Sequence, residues 1–146
     1  MITLSGKISN KFGVASSNLA PDIARINAEV SSLGIVLVTG TFNVDLDEDS
    51  SHEKPIDEIV FTRSYSETLF FERCRLKLSK EGSGVRCLLL RSSIHKNSEF
   101  KKTLELMSSC HLRNTYGLKA GGSIYIEIQG DGSWWNQTSQ LADNNR

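Results

Sequence analysis

The stretch GTFNVDLDED, residues 40–49, alternates between apolar and polar side chains with the period of two that is typical of a β-strand. Phe42, Val44 and Leu46 share one face of that strand. The opposite face carries four small side chains with oxygen atoms: Thr41, Asn43, Asp45 and Asp47. Alternation alone favours a solvated sheet face, but such a row also suits Mg²⁺, because this ion prefers oxygen ligands.

Short segments of the same kind occur along most of the chain. Strands are expected within residues 2–9, 35–47, 56–64, 68–79, 85–92 and 123–128. Residues 21–34 instead have apolar side chains at helical spacing, with Pro21 suited to the first turn and Gly34 to the end. Residues 97–109 fit either a helix or a strand, and residues 110–118 fit one helical turn that Gly117 ends. Many short strands with one or two short helices predict a mainly β fold, a small β-barrel.

The composition bounds the domain organisation and argues against some classes of function. The 146 residues fit one domain, expected over residues 1–130, and a C-terminal tail at 131–146 that is polar and flexible apart from Trp134 and Trp135. Lysine and arginine together number 17, as do aspartate and glutamate, so the basic excess of a nucleic-acid-binding protein is missing. No apolar run reaches the roughly 18 residues of a membrane span, and the first ten residues lack the apolar core of a signal peptide.

The cysteines and histidines lack the spacing of a metal site. The three cysteines are widely separated and odd in number, which predicts small buried apolar residues in a reducing cytoplasm: Cys74, Cys87 and Cys110. The three histidines are expected at the surface or as hydrogen-bonded core residues: His52, His95 and His111. The common glycine-rich nucleotide motifs and the HExxH zinc motif are also missing from the sequence.

Two further segments contain residue types that bind phosphate. The loop NKFGVASSN, residues 10–18, has small residues that let backbone N–H groups approach a phosphate, although most loops of this composition are only connections. In SCHLRNTYGLKAGG, residues 109–122, Arg113 is able to pair with a phosphate through two hydrogen bonds. An arginine in a short helical turn more commonly points to solvent, so both interpretations stay open.

Four segments, taken in order along the chain, resemble the archaeal CTP-dependent riboflavin kinases. They are LSGKISNKFGVAS at 4–16, GTFN at 40–43, RSSIH at 91–95 and LELMSSCHLRNTYGLKAGGSIYIEI at 104–128. The last segment is the most specific, because Glu105 and Leu112 keep the family's interval of seven residues ahead of a similar turn and strand. The family has a closed six-stranded cradle-loop β-barrel and uses CTP to phosphorylate riboflavin to FMN.

The resemblance implies a role for each matching position. Thr41 and Asn43 would hold Mg²⁺. The nucleotide CTP would contact a loop and a later segment: Phe12, Gly13, Val14, Ala15, Ser16 and Ser17, then Cys110, His111, Leu112 and Arg113. Ser93 and Glu105 would contact the flavin, and Glu105 would orient or deprotonate the attacking 5′-hydroxyl. The implied partners are small molecules, without nucleic acid or membrane, for a cytoplasmic monomer or weak homo-oligomer.

The sequence departs from the family at several of these positions. The nucleotide loop has fewer glycines, because Asn10, Lys11 and Ala15 stand where the family has Ser-Gly and a later Gly. Ala15 carries a Cβ atom, which restricts a positive φ and a close phosphate. Ser108-Ser109 replaces an Ala-Pro pair, and Ala120-Gly121-Gly122 replaces an Asp-Gly-Asp turn. The stretch between His95 and Glu105 is longer by about four residues, so the match of Ser93 is less secure than the others.

Three alternatives to riboflavin kinase activity follow from these departures and from the last strand. The chain could be a catalytically degenerate module that binds a nucleotide or a flavin. It could be a kinase of the same fold that acts on another small-molecule acceptor. LKAGGSIYIEI, residues 118–128, also resembles the turn and strand of DNA-binding transition-state regulators, but those are shorter and have basic faces, which ranks this alternative below the others.

Overall fold

Seven β-strands and three short α-helices form the described part of the chain, which in the computed structural model comprises residues 1–10, 19–52, 59–62, 67–93 and 102–136. The strands are β1 (Ile2–Ile8), β2 (Phe42–Leu46), β3 (Ile59–Thr62), β4 (Thr68–Lys77), β5 (Gly84–Ser92), β6 (Thr103–Met107) and β7 (Ser123–Ile128). The helices are α1 (Ile23–Val30), α2 (Leu112–Tyr116) and α3 (Gly132–Asn136). The predicted mainly β class is therefore confirmed, and the ambiguous segment 97–109 contains a strand, β6.

The strands pair antiparallel in one sheet whose order is β3-β4-β5-β6-β2-β1-β7. An additional pairing between β4 and β7, which sets Leu76 opposite Ile126, closes six of the strands into a ring. Strand β3 lies outside this ring and pairs with β4. The first and last strands of the ring are neighbours, since Ile2 pairs with Ile128.

Period-two alternation places one set of side chains from all six ring strands in a common core. Its members are aliphatic residues, one phenylalanine and two cysteines: Leu4, Ile8, Phe42, Val44, Leu46, Cys74, Leu76, Val85, Cys87, Leu89, Leu104, Leu106, Ile124, Ile126 and Ile128. Cys74 and Cys87 lie opposite each other on β4 and β5. Burial raises the pKa of the Cys87 thiol to about 12 and that of Cys74 well above its ordinary value, so both are buried apolar residues as predicted.

The alternate side chains of β5 and β6 point away from this core and form a second one. Leu88, Leu90 and Met107 pack there against side chains from α1 and the segment after it: Ile26, Val30, Ile35 and Leu37. Helix α1 lies where the sequence predicts it, after Pro21 in a 3₁₀ turn at Ala20–Asp22 and before Gly34, whose φ of 73° reverses the chain.

Residues 35–41 are predicted as the first half of a strand. In the structure they are not part of a strand, and β2 begins only at Phe42. The reason is a side chain from α1. Asn27 accepts a hydrogen bond from the backbone N–H of Leu37 at 2.7 Å and donates one to its carbonyl at 3.0 Å. This amide therefore takes both backbone groups that a neighbouring strand would otherwise pair with.

Helix α3 closes the second core from the C-terminal side. Trp135 is fully buried, and its indole N–H donates to the Cys74 carbonyl at 2.9 Å and to the Cys87 carbonyl at 3.2 Å. Residues 132–136, part of the segment predicted as a flexible tail, thus pack on β4 and β5, while residues 137–146 fall outside the described residues. None of the helices in the described ranges has the length and apolar character needed to cross a bilayer.

Candidate functional site

A cavity of about 150 Å³ lies where the start of β2, the end of β6 and helix α2 meet. Its lining comes from two stretches that are about 65 residues apart in sequence: Gly40, Thr41 and Phe42, then Leu106, Ser108, Cys110, His111, Leu112, Arg113 and Asn114. The lining includes Thr41, predicted as a Mg²⁺ ligand, and all four residues of the second predicted nucleotide contact. Thr41 of the predicted metal site and the second predicted nucleotide contact therefore share one cavity.

Helix α2 holds one wall of the cavity in place through its buried residue Leu112. This side chain is 3% exposed and packs in the core of the ring, which leaves His111 and Arg113 on either side of it at the cavity. Gly117 ends the helix with a φ of 64°, and Leu118 donates to the Arg113 carbonyl at 3.0 Å. The glycine matters because an L-residue with a side chain rarely adopts this left-handed conformation.

Arg113 links helix α2 to the ends of two strands. Its guanidinium donates to the Ser9 carbonyl at 2.6 Å and lies 6.0 Å from the centre of the Phe42 ring. The backbone N–H of Ser9 in turn donates to the Asn43 carbonyl at 3.0 Å. The general expectation that an arginine in a short helical turn points to solvent is therefore wrong here, and a fixed positive charge lies at the cavity.

The four oxygen-bearing side chains of residues 40–49 lie in two different environments. Thr41 donates a hydrogen bond to Asn43 Oδ1 at 3.3 Å, and Asn43 is only 7% exposed. Asp45 is exposed and accepts from Thr103 at 3.2 Å, and Asp47 lies 3.7 Å from the Lys7 ammonium. Gly40, with a φ of 112°, turns the chain just before Thr41. The polar face is thus a solvated edge at the aspartates and part of the cavity region at Thr41 and Asn43.

The spacing of the Thr41 and Asn43 oxygens suits a shared ion. Two neighbouring ligands of an octahedral Mg²⁺, each about 2.1 Å from the metal, are about 3 Å apart. The observed 3.3 Å is close to that value, although the two residues are two positions apart on the chain. Both oxygens are neutral, and no group of three His, Cys, Asp or Glu side chains able to bind a metal occurs among the described residues. A bound Mg²⁺ would therefore need further oxygens from water and from a phosphate.

Glu105, the predicted catalytic residue, lies on β6 directly opposite Asn43 on β2. On its other side it is opposite Leu90 of β5. Directly opposed residues in an antiparallel pair have Cβ atoms about 5 Å apart, so the half-buried carboxylate neighbours the Asn43 amide. The predicted catalytic and metal-binding residues are therefore adjacent.

Ser93, the other predicted flavin contact, is held at the far end of β5. Its hydroxyl accepts from the Thr68 N–H at 2.9 Å, and its own N–H donates to the Thr68 carbonyl at 2.8 Å. This reciprocal pair joins the ends of β4 and β5 three residues beyond Leu90, the position opposite Glu105. The structure does not bring Ser93 to the cavity, and its contact with flavin stays a prediction.

The predicted nucleotide loop, Phe12 to Ser17, lies outside the described residues, as does His95. The chain is described as far as Asn10, immediately after Ser9, and Ser9 contacts both Arg113 and Asn43. The entry to the predicted loop is therefore next to the cavity. Of the other histidines, His111 is exposed at the cavity, whereas His52 is buried with its Nε2 atom 2.7 Å from Glu72 Oε1, a hydrogen-bonded core residue.

Sequence reasoning did not identify Ser9 and Ser108 as residues of this region. Ser9 is 1% exposed and Ser108 2% exposed, yet both are polar residues at the ends of strands, where serine is common. Alternation puts Ser108 on the same face as the buried Leu104 and Leu106, but residue type does not distinguish it from its exposed neighbour Ser109. Their positions become visible only through long-range hydrogen bonds.

Comparison with known proteins does not identify a family for this chain. No protein-family model matches the sequence, and no curated protein gives a significant match. The resemblance to CTP-dependent riboflavin kinases therefore stays a prediction that rests on the four sequence segments.

Proposed function

We propose that the protein is a Mg²⁺-assisted phosphotransferase of the CTP-dependent riboflavin kinase type, with the ring of six strands as its cradle-loop barrel. One observation carries the proposal. Residues that the resemblance assigns to metal, nucleotide and flavin come from three separate segments and lie close together: Thr41 and the residues from Cys110 to Arg113 line one cavity, Asn43 is hydrogen-bonded to Thr41, and Glu105 lies opposite Asn43.

The nucleotide would bind with its phosphates near Arg113. A guanidinium has five N–H donors in a planar arrangement that matches phosphate oxygens, and one of its nitrogen atoms is held by the Ser9 carbonyl. This contact fixes the charge before the ligand arrives, which reduces the entropy lost on binding. Residues 12–17, which the resemblance assigns to the same nucleotide, follow in the chain directly after Asn10 and Lys11.

Thr41 and Asn43 would hold Mg²⁺ through their side-chain oxygens. The ion would supply positive charge to the phosphate oxygens, which stabilises the charge that develops during phosphoryl transfer. Because the two protein ligands are neutral, their affinity for the ion depends on the nucleotide. This predicts that the ion and CTP bind together rather than one after the other.

Glu105 would act on the acceptor. Its carboxylate would accept the proton of the riboflavin 5′-hydroxyl, while the hydroxyl oxygen forms a bond to the γ-phosphorus of CTP. The bond from that phosphorus to the bridging oxygen breaks, and CDP leaves with the electron pair. The products are FMN and CDP, and the carboxylate then returns its proton to water.

The direct test is FMN formation by the purified protein from riboflavin, CTP and Mg²⁺, followed by chromatography with fluorescence detection. Formation of FMN with CTP in preference to ATP, GTP and UTP is the expected result. A protein that makes no FMN with any of the four nucleotides contradicts the proposal. Product formation from another acceptor, with CTP consumed, would retain the phosphotransferase and change its substrate.

A binding module without turnover is the second candidate, and one observation favours it. Ala15 stands in the predicted nucleotide loop where the family has glycine, and its Cβ atom restricts a close approach to a phosphate. Calorimetric titration with Mg-CTP and with FMN distinguishes the two candidates. Binding of either ligand without product formation supports the module, and product formation rules it out.

A further inference from the structure

Ser108 connects the two walls of the cavity to the sheet. It follows β6, lines the cavity and is 2% exposed. Its hydroxyl donates to the Arg86 carbonyl on β5 at 2.7 Å, and its own carbonyl accepts from the Val38 N–H at 3.0 Å. Ser109, the next residue, is exposed. Two serines thus stand side by side, and the buried one makes both of these contacts.

The backbone hydrogen bond from Val38 joins the chain ahead of one wall to the chain ahead of the other, and the hydroxyl hydrogen bond joins this point to β5. Val38 precedes Gly40 by two residues, and Gly40 begins the wall that contains Thr41. Ser108 precedes Cys110 by two residues, and Cys110 begins the wall that contains Arg113. Ser108 therefore lies at the junction between the predicted metal-binding wall and the predicted nucleotide-binding wall, and its hydroxyl fixes that junction to β5.

The anchor of this arrangement, Arg86, is itself held firmly. On β5 it lies opposite Arg75 of β4. Its guanidinium lies 4.9 Å from the centre of the Trp135 ring, donates to Asn136 Oδ1 at 2.9 Å and to the Gly34 carbonyl at 3.4 Å. The Ser108 hydroxyl thus attaches the cavity to a residue that α3 and Gly34, four residues after α1, keep in place.

We propose that Ser108 is a positioning residue that sets the separation of the cavity walls and so determines the affinity for the nucleotide. The inference rests on the proposed function, in which the cavity binds CTP. Ser108 would act through its own hydrogen bonds to Arg86 and Val38.

The experiment compares Ser108→Ala with Ser109→Ala, a matched change at the exposed neighbour. Calorimetry measures the Kd for Mg-CTP and, separately, for FMN, at least 15 °C below the thermal unfolding of each variant. Ser108→Ala is expected to raise the Kd for Mg-CTP about tenfold and leave that for FMN within about twofold, the size of effect of one lost hydrogen bond. Ser109→Ala is expected to change neither value. Ser108→Cys, a weaker donor of similar shape, replaces the alanine variant if that variant does not fold.

Two results overturn the inference about Ser108 and leave the proposed function standing. One is an unchanged Kd for Mg-CTP in Ser108→Ala. The other is an equal rise in the Kd for both ligands, which indicates a general loss of structure rather than a change at the nucleotide wall. A wild-type protein that binds no nucleotide overturns the proposed function and this inference with it, so the two failures are distinguishable.

Discussion

Asn43 and Glu105 lie directly opposite each other on the antiparallel strands β2 and β6. The first is the candidate metal ligand, and the second is the candidate base for the acceptor hydroxyl. Opposed side chains of this kind are neighbours on the same face of a sheet. In the proposed reaction the residue that would hold the ion and the residue that would accept the hydroxyl proton both have to lie near the transferred phosphate, and a pair of adjacent positions on two strands meets that requirement.

Replacing Asn43 with alanine is expected to abolish Mg²⁺-dependent binding of CTP, because it removes one of the two oxygens that lie 3.3 Å apart. Calorimetry with CTP in the presence of Mg²⁺ or EDTA measures the effect. Asp45→Ala is the matched control, since Asp45 is two residues further along the same face and exposed. It is expected to bind as the wild type does. If both variants bind CTP with Mg²⁺ as the wild type does, the Asn43 side chain has no part in the site.

Replacing Glu105 with glutamine is expected to lower the rate of FMN formation by about 10² or more and to leave the Kd for Mg-CTP within about twofold, because general base catalysis typically contributes 10²–10⁴. Steady-state kinetics and calorimetry measure the two quantities. Glu81→Gln, an exposed substitution in the β4–β5 turn, controls for the loss of one negative charge. A glutamine variant with wild-type turnover would exclude Glu105 as the base.

The cysteines are expected to differ in reactivity. Burial raises the pKa of Cys87 to about 12, so at pH 8 only about one thiol in 10⁴ is the reactive thiolate, and Cys74 is raised in the same direction. Cys110 is half-buried at the cavity. Iodoacetamide followed by mass spectrometry should therefore label Cys110 first, and Mg-CTP should slow that labelling. In urea all three should react, and equal labelling in the native protein would contradict the burial.

The same raised pKa makes the protein less stable at alkaline pH. The unfolded chain loses the Cys87 proton near its ordinary value of 9.0, whereas the folded chain keeps it until about 12. The folded state therefore binds more protons between these values, and the free energy of unfolding falls as pH rises from about 9 to 12. Urea unfolding of the wild type and Cys87→Ser across this range checks the sign. A slope that is the same in both would mean that Cys87 does not contribute.

Trp135 is expected to be part of the domain rather than of a tail. Its replacement by alanine should lower the free energy of unfolding by about 3–5 kcal/mol, because a fully buried indole leaves a cavity and takes its hydrogen bond with it. Trp134→Ala should cost about 1 kcal/mol, since Trp134 is half-buried and lies 5.0 Å from the Arg75 guanidinium. Urea denaturation measures both, and equal small effects would place the domain boundary before residue 131.

The sequence predicts much of this fold because its strongest signals are local. Alternation identifies β2 and β7. Pro21 and Gly34 mark the two ends of the segment that contains helix α1. Residues 35–41 were predicted wrongly because the amide of Asn27, ten residues away, takes the backbone groups of Leu37. No periodicity contains that information, since it depends on how the helix packs.

The candidate site divides in the same way. The motif order singles out Thr41, Asn43 and Arg113, and the structure brings Thr41 and Arg113 into one cavity lining with Asn43 hydrogen-bonded to Thr41. The motif order does not identify Ser9, because the hydrogen bond from Arg113 to Ser9 joins residues that are 104 positions apart in the chain. The helix that buries Trp135 is likewise not predicted, since the residues around the two tryptophans are polar.

The pairing of Ile2 with Ile128 affects how the protein is made. Strand β1 is synthesised before the other described strands, whereas β7, one of its two neighbours in the ring, is synthesised after them. During translation β1 therefore has only β2 to pair with, and its other edge stays exposed until β7 emerges. The ring closes only after almost the whole described chain has been released. The cavity also needs α2, which comes after six of the seven described strands, so its two walls meet only when both of these separate segments are present.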